Sequence, residues 1–538
     1  MILNKKAALK LLLLIIFPAV VHLSWAGVPK KLNSRAKLMI LFVVDGLRPD
    51  LITEKNTPNI YRLSQQGVFF ENSHAVFPTV TRVNSAAIAT ASYPIHSGIV
   101  SNSIFIPAMN PTSSFSTGNY HNLRKLDKIT KGKLLLCKSW AERLVENGFK
   151  PAAISSGSSG SAFLLNHRAP KGIGVLINGW FEPDSIVAFP QKVNERILQK
   201  IGRSPHENDL TNSDAKVNWT TRVLNDYLLS EYKPDVIYCW ITEPDHTQHK
   251  YGIGAPETLE TIRNSDRNIG MVMQKLKELG LYPKTNILVT SDHGFSTYNY
   301  SVNVESELIK AGLKKSHDSG DVVLASSGES VLLHVKNRDK EKIKRIVNYF
   351  QKQKWIDVIF TAGKGTAPQH FRGWIDGTFS LELLHQPGTG RGPDILITFP
   401  WSSAKNKYGF PGTDYSNTSG ATGSKTSEGA GHGSMSPWTI RNTMIAWGID
   451  FKSGVKSRVP AANIDFSATI LALKNVPFDN DIQGRVLYEA LKNGEDIEKV
   501  PVQTQVLTVQ NQKHKSALQI SRVGKYWYVD KSWSMDSE

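Results

Sequence analysis

Leu38-Met39-Ile40-Leu41-Phe42-Val43-Val44-Asp45-Gly46 is an unbroken run of seven apolar residues that ends on an acid and a glycine. An apolar run of this length without polar alternation reads as a strand buried on both faces, as in a parallel sheet. Its terminal acid then lies where open α/β sheets keep their ligand crevice, at the carboxyl ends of the strands. Similar runs recur at Ala152-Ala153-Ile154, Val236-Ile237-Tyr238-Cys239-Trp240-Ile241 and Ile287-Leu288-Val289. Helical patterns lie between them. One starts at Thr57-Pro58 and stops at Gly67, one runs from Ser139 to Asn147, one from about Asp214 to Tyr232 and one from Pro256 to Gly280. Strands alternating with helices predict an α/β fold, a mostly parallel central sheet covered by helices on both faces.

Downstream of residue 300 the order changes. Val331–Val335 reads as a strand, Asp339–Gln353 as a basic amphipathic helix and Val358-Ile359-Phe360 as a short strand, so 301–389 is expected to be a small inserted α/β subdomain. The core then comprises 27–300 and 390–495. Residues 402–436, rich in Gly, Ser, Thr and Asn, read as a long loop, and 496–538 as a β-rich tail. Upstream, Lys5, Lys6 and Lys10 precede Leu11–Phe17, and Ser24-Trp25-Ala26 follows. Basic, apolar and small residues in that order mark 1–26 as a signal peptide, with a periplasmic or secreted destination. No other run approaches the ~18 apolar residues of a membrane helix. The charge of +17 falls to +14 without the three leader lysines. A positive surface suits anionic substrates, but no long basic block marks a nucleic-acid-binding module. Cys137 and Cys239 are the only cysteines. They allow one disulfide or two buried thiols, and give no support to a cysteine metal site.

Three acids end buried runs: Asp45, Asp245 and Asp292. Each sits near imidazoles: Asp245 is four residues before His249, Asp292 adjoins His293, and His432 lies between Gly431 and Gly433. One acid at a strand end is ordinarily a turn or cap residue. Three Asp and three His are a donor set for zinc, and enough for two ions if a nucleophile also coordinates. That nucleophile would come from Phe77-Pro78-Thr79-Val80-Thr81-Arg82-Val83-Asn84. The residues from Asn84 to Ala91 read as a helix, with Thr81 at or just before its N-terminus, where backbone N–H groups favour an anion. The plainer alternative is that Thr79 or Thr81 only caps the helix.

Taken in order, Asp45-Gly46-Leu47-Arg48-Pro49, the Thr81 stretch, Glu243-Pro244-Asp245 with His249, Ser291-Asp292-His293-Gly294 and Gly431-His432-Gly433 resemble the alkaline phosphatase superfamily. The closest resemblance within it is to the type I phosphodiesterase / nucleotide pyrophosphatase branch. The resemblance implies an alkaline-phosphatase-like sandwich and two Zn2+ per chain. Asp245, His249 and His432 would hold one ion, and Asp45, Asp292 and His293 the other, with Thr81 as its nucleophilic ligand. Asn84 would hydrogen-bond a phosphoryl oxygen. The implied activity is hydrolysis of phosphodiester or phosphoanhydride bonds in a small phosphate ester, through a phospho-threonine intermediate, by a monomer or homodimer. Where the family commonly has an aromatic residue and a proline after the nucleophile, this chain has Arg82-Val83. The segment Ser156–Ser161 also lacks the Lys and Arg that monoesterase relatives place near the phosphate; Arg168 or Lys171 could replace them in a phosphomonoesterase. The sulfatase pattern of Cys or Ser followed by x-Pro-x-Arg is not matched at Thr81. A non-catalytic metal-binding receptor is the remaining alternative.

Overall fold

The computed structural model describes residues 31–179, 186–205, 213–420, 422 and 429–535; the expected signal peptide lies outside them. A nine-stranded sheet forms the centre. Five of its strands, Thr285–Thr290, Leu38–Val44, Val236–Ile241, Pro151–Ser155 and Val175–Asn178, are parallel neighbours in that order. Antiparallel strands flank them, Met444–Gly448 on one side and Ala188–Phe189 on the other. The expected α/β class is therefore correct.

The pleat of Leu38–Val44 shows why its sequence does not alternate. Met39, Leu41 and Val43 face one core, which includes Trp140, Tyr238 and the Thr81–Thr90 helix. Leu38, Ile40, Phe42 and Val44 face a second, with Ile262, Ile269 and Val272 of the Pro256–Glu278 helix. Side chains that point alternately to two faces must all be apolar when both faces are covered. The helix expected over 214–232 is present, but it is α-helical only to Val223 and widens to π-type winding over Leu224–Tyr232.

A separate five-stranded sheet, ordered Val322–Ser326, Ser330–Val335, Ile395–Thr398, Ile359–Thr361 and Phe379–Ser380, carries the Lys340–Phe350 helix on its own apolar core. Ile395–Thr398 pairs with strands on both sides, so this sheet runs past the boundary expected at 389. Residues 503–534 form a three-stranded antiparallel sheet packed against the first core.

The expectation of a long loop over 402–436 needs correction. Trp401–Lys405 and Pro411–Asn417 are strands, and with Ser296–Val302 and Ala430–Gly431 they make a four-stranded sheet. Trp401–Lys405 is largely exposed, and the buried side chains of Pro411–Asn417 are polar: Asp414 Oδ2 accepts from Ser296 Oγ at 2.6 Å and from Ser434 Oγ at 2.7 Å. Hydropathy cannot register a strand that is buried through hydrogen bonds. Among the described residues no helix is long and apolar enough to cross a membrane.

Candidate functional site

The carboxyl ends of the parallel strands converge on one cluster. Asp45 leaves its strand with its N–H on Ile241 O, and Asp245 N–H donates to Asp45 O at 3.1 Å, so two strand ends are tied together. Gly46 follows with φ of +71°, and a Cβ there would lie 2.9 Å from the Phe295 ring. Only glycine fits this turn. Gly294 is constrained by space, since a Cβ would collide with the backbone oxygen of Trp438. That close approach brings the segment before Met444–Gly448 against Asp292 and His293.

Around this turn the three histidines are oriented alike. Nδ1 of His249 pairs with Ala430 O at 2.8 Å, Nδ1 of His293 with Gly294 O at 3.0 Å, and Nδ1 of His432 with Thr79 O at 2.9 Å. A carbonyl can only accept, so each Nδ1 carries a proton, and in the neutral ring Nε2 is the lone-pair atom that can ligate a metal. These Nε2 atoms gather around the acids. His249 and His432 lie 3.4 and 3.3 Å from Asp245 Oδ1; His293 lies 3.5 Å from Asp45 Oδ1 and 3.1 Å from Asp292 Oδ2. The same three carboxylate oxygens, Asp45 Oδ1, Asp245 Oδ1 and Asp292 Oδ2, are buried without a hydrogen-bond donor among the described residues.

Imidazole nitrogens crowded against unpartnered carboxylate oxygens, with His249 and His432 Nε2 only 3.2 Å apart, form a donor set that cations would satisfy. Two groups have metal-binding spacing, Asp245 with His249 and His432, and Asp45 with Asp245 and His293. Asp245 therefore lies between them, 3.9 Å from His293 Nε2, while Asp292 reaches the second group through His293. Burial and the charges of Asp292 and Asp245 push the Asp45 carboxyl well above its ordinary range. Burial and the neighbouring His293 hold His432 down at about 4, in the neutral form that a metal needs. Trp240 Nε1 donates to Asp45 Oδ2 at 2.9 Å and Gly46 N–H to Asp292 Oδ1 at 3.1 Å, fixing which carboxylate oxygens remain open. Sequence reading had not singled out Trp240, and nothing in its apolar run distinguishes it from a core residue.

Thr81 is the first residue of the Thr81–Thr90 helix and 5% exposed, and the cap position belongs to Val80. Oγ1 lies 3.4 Å from His293 Nε2, inside the cluster. Thr79 has the structural part: its Oγ1 accepts from Gly433 N–H at 3.1 Å and donates to Ser434 O at 3.1 Å, clamping the His432 loop onto the segment before the helix.

Asn84 does not occupy the position expected of it. It is fully buried one turn into the helix, and its amide is consumed internally. Oδ1 accepts from Val76 N–H and Asn463 Nδ2, while Nδ2 donates to Val76 O and Val80 O. No donor is left for a substrate. Asn102, missed in the sequence, does stand at the helix N-terminus: its Oδ1 accepts from Arg82 N–H at 3.0 Å, and its Nδ2 has no partner among the described residues. Twenty residues of intervening chain hid it. Neither cation proposed as a substitute reaches the cluster. Arg168 is held by Gly132 O and Glu142, and Lys171 is exposed. Cys137 and Cys239 are free thiols.

Comparison with known proteins agrees with this geometry. The family model described as type I phosphodiesterase / nucleotide pyrophosphatase matches residues 39–398. Venom phosphodiesterase 2 of Crotalus adamanteus is 28% identical over 262 residues, 48% of this chain and 26% of that protein. Ectonucleotide pyrophosphatase/phosphodiesterase family member 1 of Homo sapiens is 28% identical over 259 residues, 47% of this chain and 23% of the relative. Family member 7 of Homo sapiens is 23% identical over 275 residues, 51% of each chain. The alignments thus span 23% to 51% of the length of these relatives. The match over most of the chain, on a fold whose strand ends gather the motif residues, shows that it belongs to the type I phosphodiesterase / nucleotide pyrophosphatase family.

Proposed function

We propose that this chain is an exported hydrolase of phosphodiester or phosphoanhydride bonds, with Thr81 as its nucleophile and two zinc ions as its cofactors. The observation that carries the reading is the gathering of three Nε2 atoms and three unpartnered carboxylate oxygens, with His293 Nε2 beside the Thr81 hydroxyl. Asp245, His249 and His432 would hold one ion, and Asp45, Asp292 and His293 the other. When bound, the ions would supply Lewis acidity that favours the threonine alkoxide and the charge on the leaving oxygen.

The chain's own groups do the rest. Thr81 Oγ1 starts the helix, where backbone N–H groups face an incoming phosphoryl oxygen. Asn102, rather than Asn84, has the free amide donor to orient that oxygen. Attack forms the bond from Thr81 Oγ1 to phosphorus, breaks the bond to the leaving oxygen and gives the hydroxyl proton to solvent. Water then displaces threonine from the phosphorylated enzyme. The printed names of the relatives, venom phosphodiesterase and ectonucleotide pyrophosphatase, support export and a nucleotide-like substrate. The basic-apolar-small order of residues 1–26 supports export independently.

Zinc-loaded protein assayed on an aryl phosphodiester tests the reading. Turnover that disappears in Thr81→Ala, with bound zinc retained, is expected. Full activity in that variant would reject the nucleophile.

A further inference from the structure

Arg82 directly follows the nucleophile and is the second residue of the same helix. A solvent-facing arginine would ordinarily turn to water. Here the side chain folds inward over Gly118, where an added Cβ would stand 2.8 Å from Nη2 and 3.3 Å from Nε. Gly118 is itself fixed, because its oxygen accepts from Gly160 N–H at 3.0 Å and Thr117 N–H donates to Asn102 O at 2.9 Å. The fold therefore builds a slot for the guanidinium. Nε is shut off from solvent without a hydrogen-bond partner, and the side chain makes no ion pair among the described residues. Asp45, Asp245 and Asp292 are the acids whose charge it feels.

Arg82 is half-buried, and a partly desolvated guanidinium without a counter-ion is stabilised when an anion completes it. The three acids are those that cations would neutralise, which leaves the guanidinium donors for a ligand at the nucleophile. The other nearby arginine, Arg48, is spent on Asp50, Phe295 O and Pro411 O. We infer that Arg82 is a specificity-determining residue whose guanidinium binds the unsubstituted oxygens of a terminal phosphoryl group, so that the site takes phosphomonoesters as well as diesters. A monoester at neutral pH carries a second negative charge and one more acceptor oxygen than a diester, and a fork of N–H donors favours that difference. The inference rests on the phosphoesterase reading above and names a substrate class for it.

The test compares kcat/KM of the zinc-loaded protein on an aryl phosphomonoester and the matching diester, for wild type, Arg82→Met and Arg82→Lys. Loss of a charge-assisted contact predicts that Arg82→Met suffers on the monoester about 10- to 100-fold more than on the diester. Arg82→Lys should recover part of that difference, and inorganic phosphate should weaken as a competitive inhibitor of Arg82→Met by a similar factor. Equal losses on both substrates, or unchanged phosphate inhibition, would overturn the assignment. Wild-type turnover of the diester alone would overturn it while leaving the phosphoesterase reading intact; turnover of neither would remove both.

Discussion

Replacing Asn84 by alanine separates a structural role from a catalytic one. The amide makes four hydrogen bonds in a fully buried position: 2.8 Å from Val76 N, 3.0 Å to Val76 O, 3.1 Å to Val80 O and 2.7 Å from Asn463 Nδ2. Alanine leaves the Val76 N–H without a partner, and Asn463 keeps only a 3.3 Å contact to Asp292 O. At ~1–3 kcal/mol for each buried group left unsatisfied, the loss should total about 3–5 kcal/mol. That is a large share of the ~5–15 kcal/mol that separates a folded domain from its unfolded chain. Urea unfolding followed by tryptophan fluorescence should show a clearly lowered midpoint, with activity lost in step with folded protein. An unchanged midpoint together with abolished turnover would refute this reasoning and return Asn84 to the substrate.

Three further outcomes are expected. Because Asp45 is held above its unfolded value of ~3.9, the metal-free protein should lose stability as pH rises from about 4 through the raised value. Asp45→Asn should remove that loss, so chelator-treated variant should melt above chelator-treated wild type at pH 7.5 but not at pH 4, while binding less zinc. Gly294→Ala forces a methyl group against Trp438 O and to 2.6 Å from Arg441 O; it should destabilise by at least ~2 kcal/mol and reduce zinc content, measured by melting and metal analysis. Burial pushes Cys137 up to about 11 and Cys239 up to about 12, so native protein at pH 8 should resist alkylation at both thiols until denatured.

The parts of the fold legible in the sequence are those in which hydropathy alone sets the structure. Leu38–Val44 must be apolar throughout because both of its faces are buried, and that pattern has few alternative readings. The acids at its end and at Asp245 and Asp292 were legible for the same reason: a polar residue that closes such a run needs a use. The strands at 401–417 were not legible, since one is largely exposed and the other is buried through polar residues such as Thr413 and Asp414, both with loop-like composition. Asn84 and Asn102 lie near the same helix, and a sequence does not say which amide is consumed by backbone. The inward turn of Arg82 depends on Gly118 and Gly160, contacts far along the chain that spacing cannot reveal.

The central claim is covalent participation by Thr81. Zinc-loaded protein mixed with an aryl phosphodiester, quenched in acid within the first turnovers and digested for mass spectrometry, tests it directly. The account predicts a phosphoryl adduct on the peptide that contains Thr81, absent from a Thr81→Ala protein that still holds its zinc. An adduct on another residue, or undiminished turnover by Thr81→Ala, would contradict it.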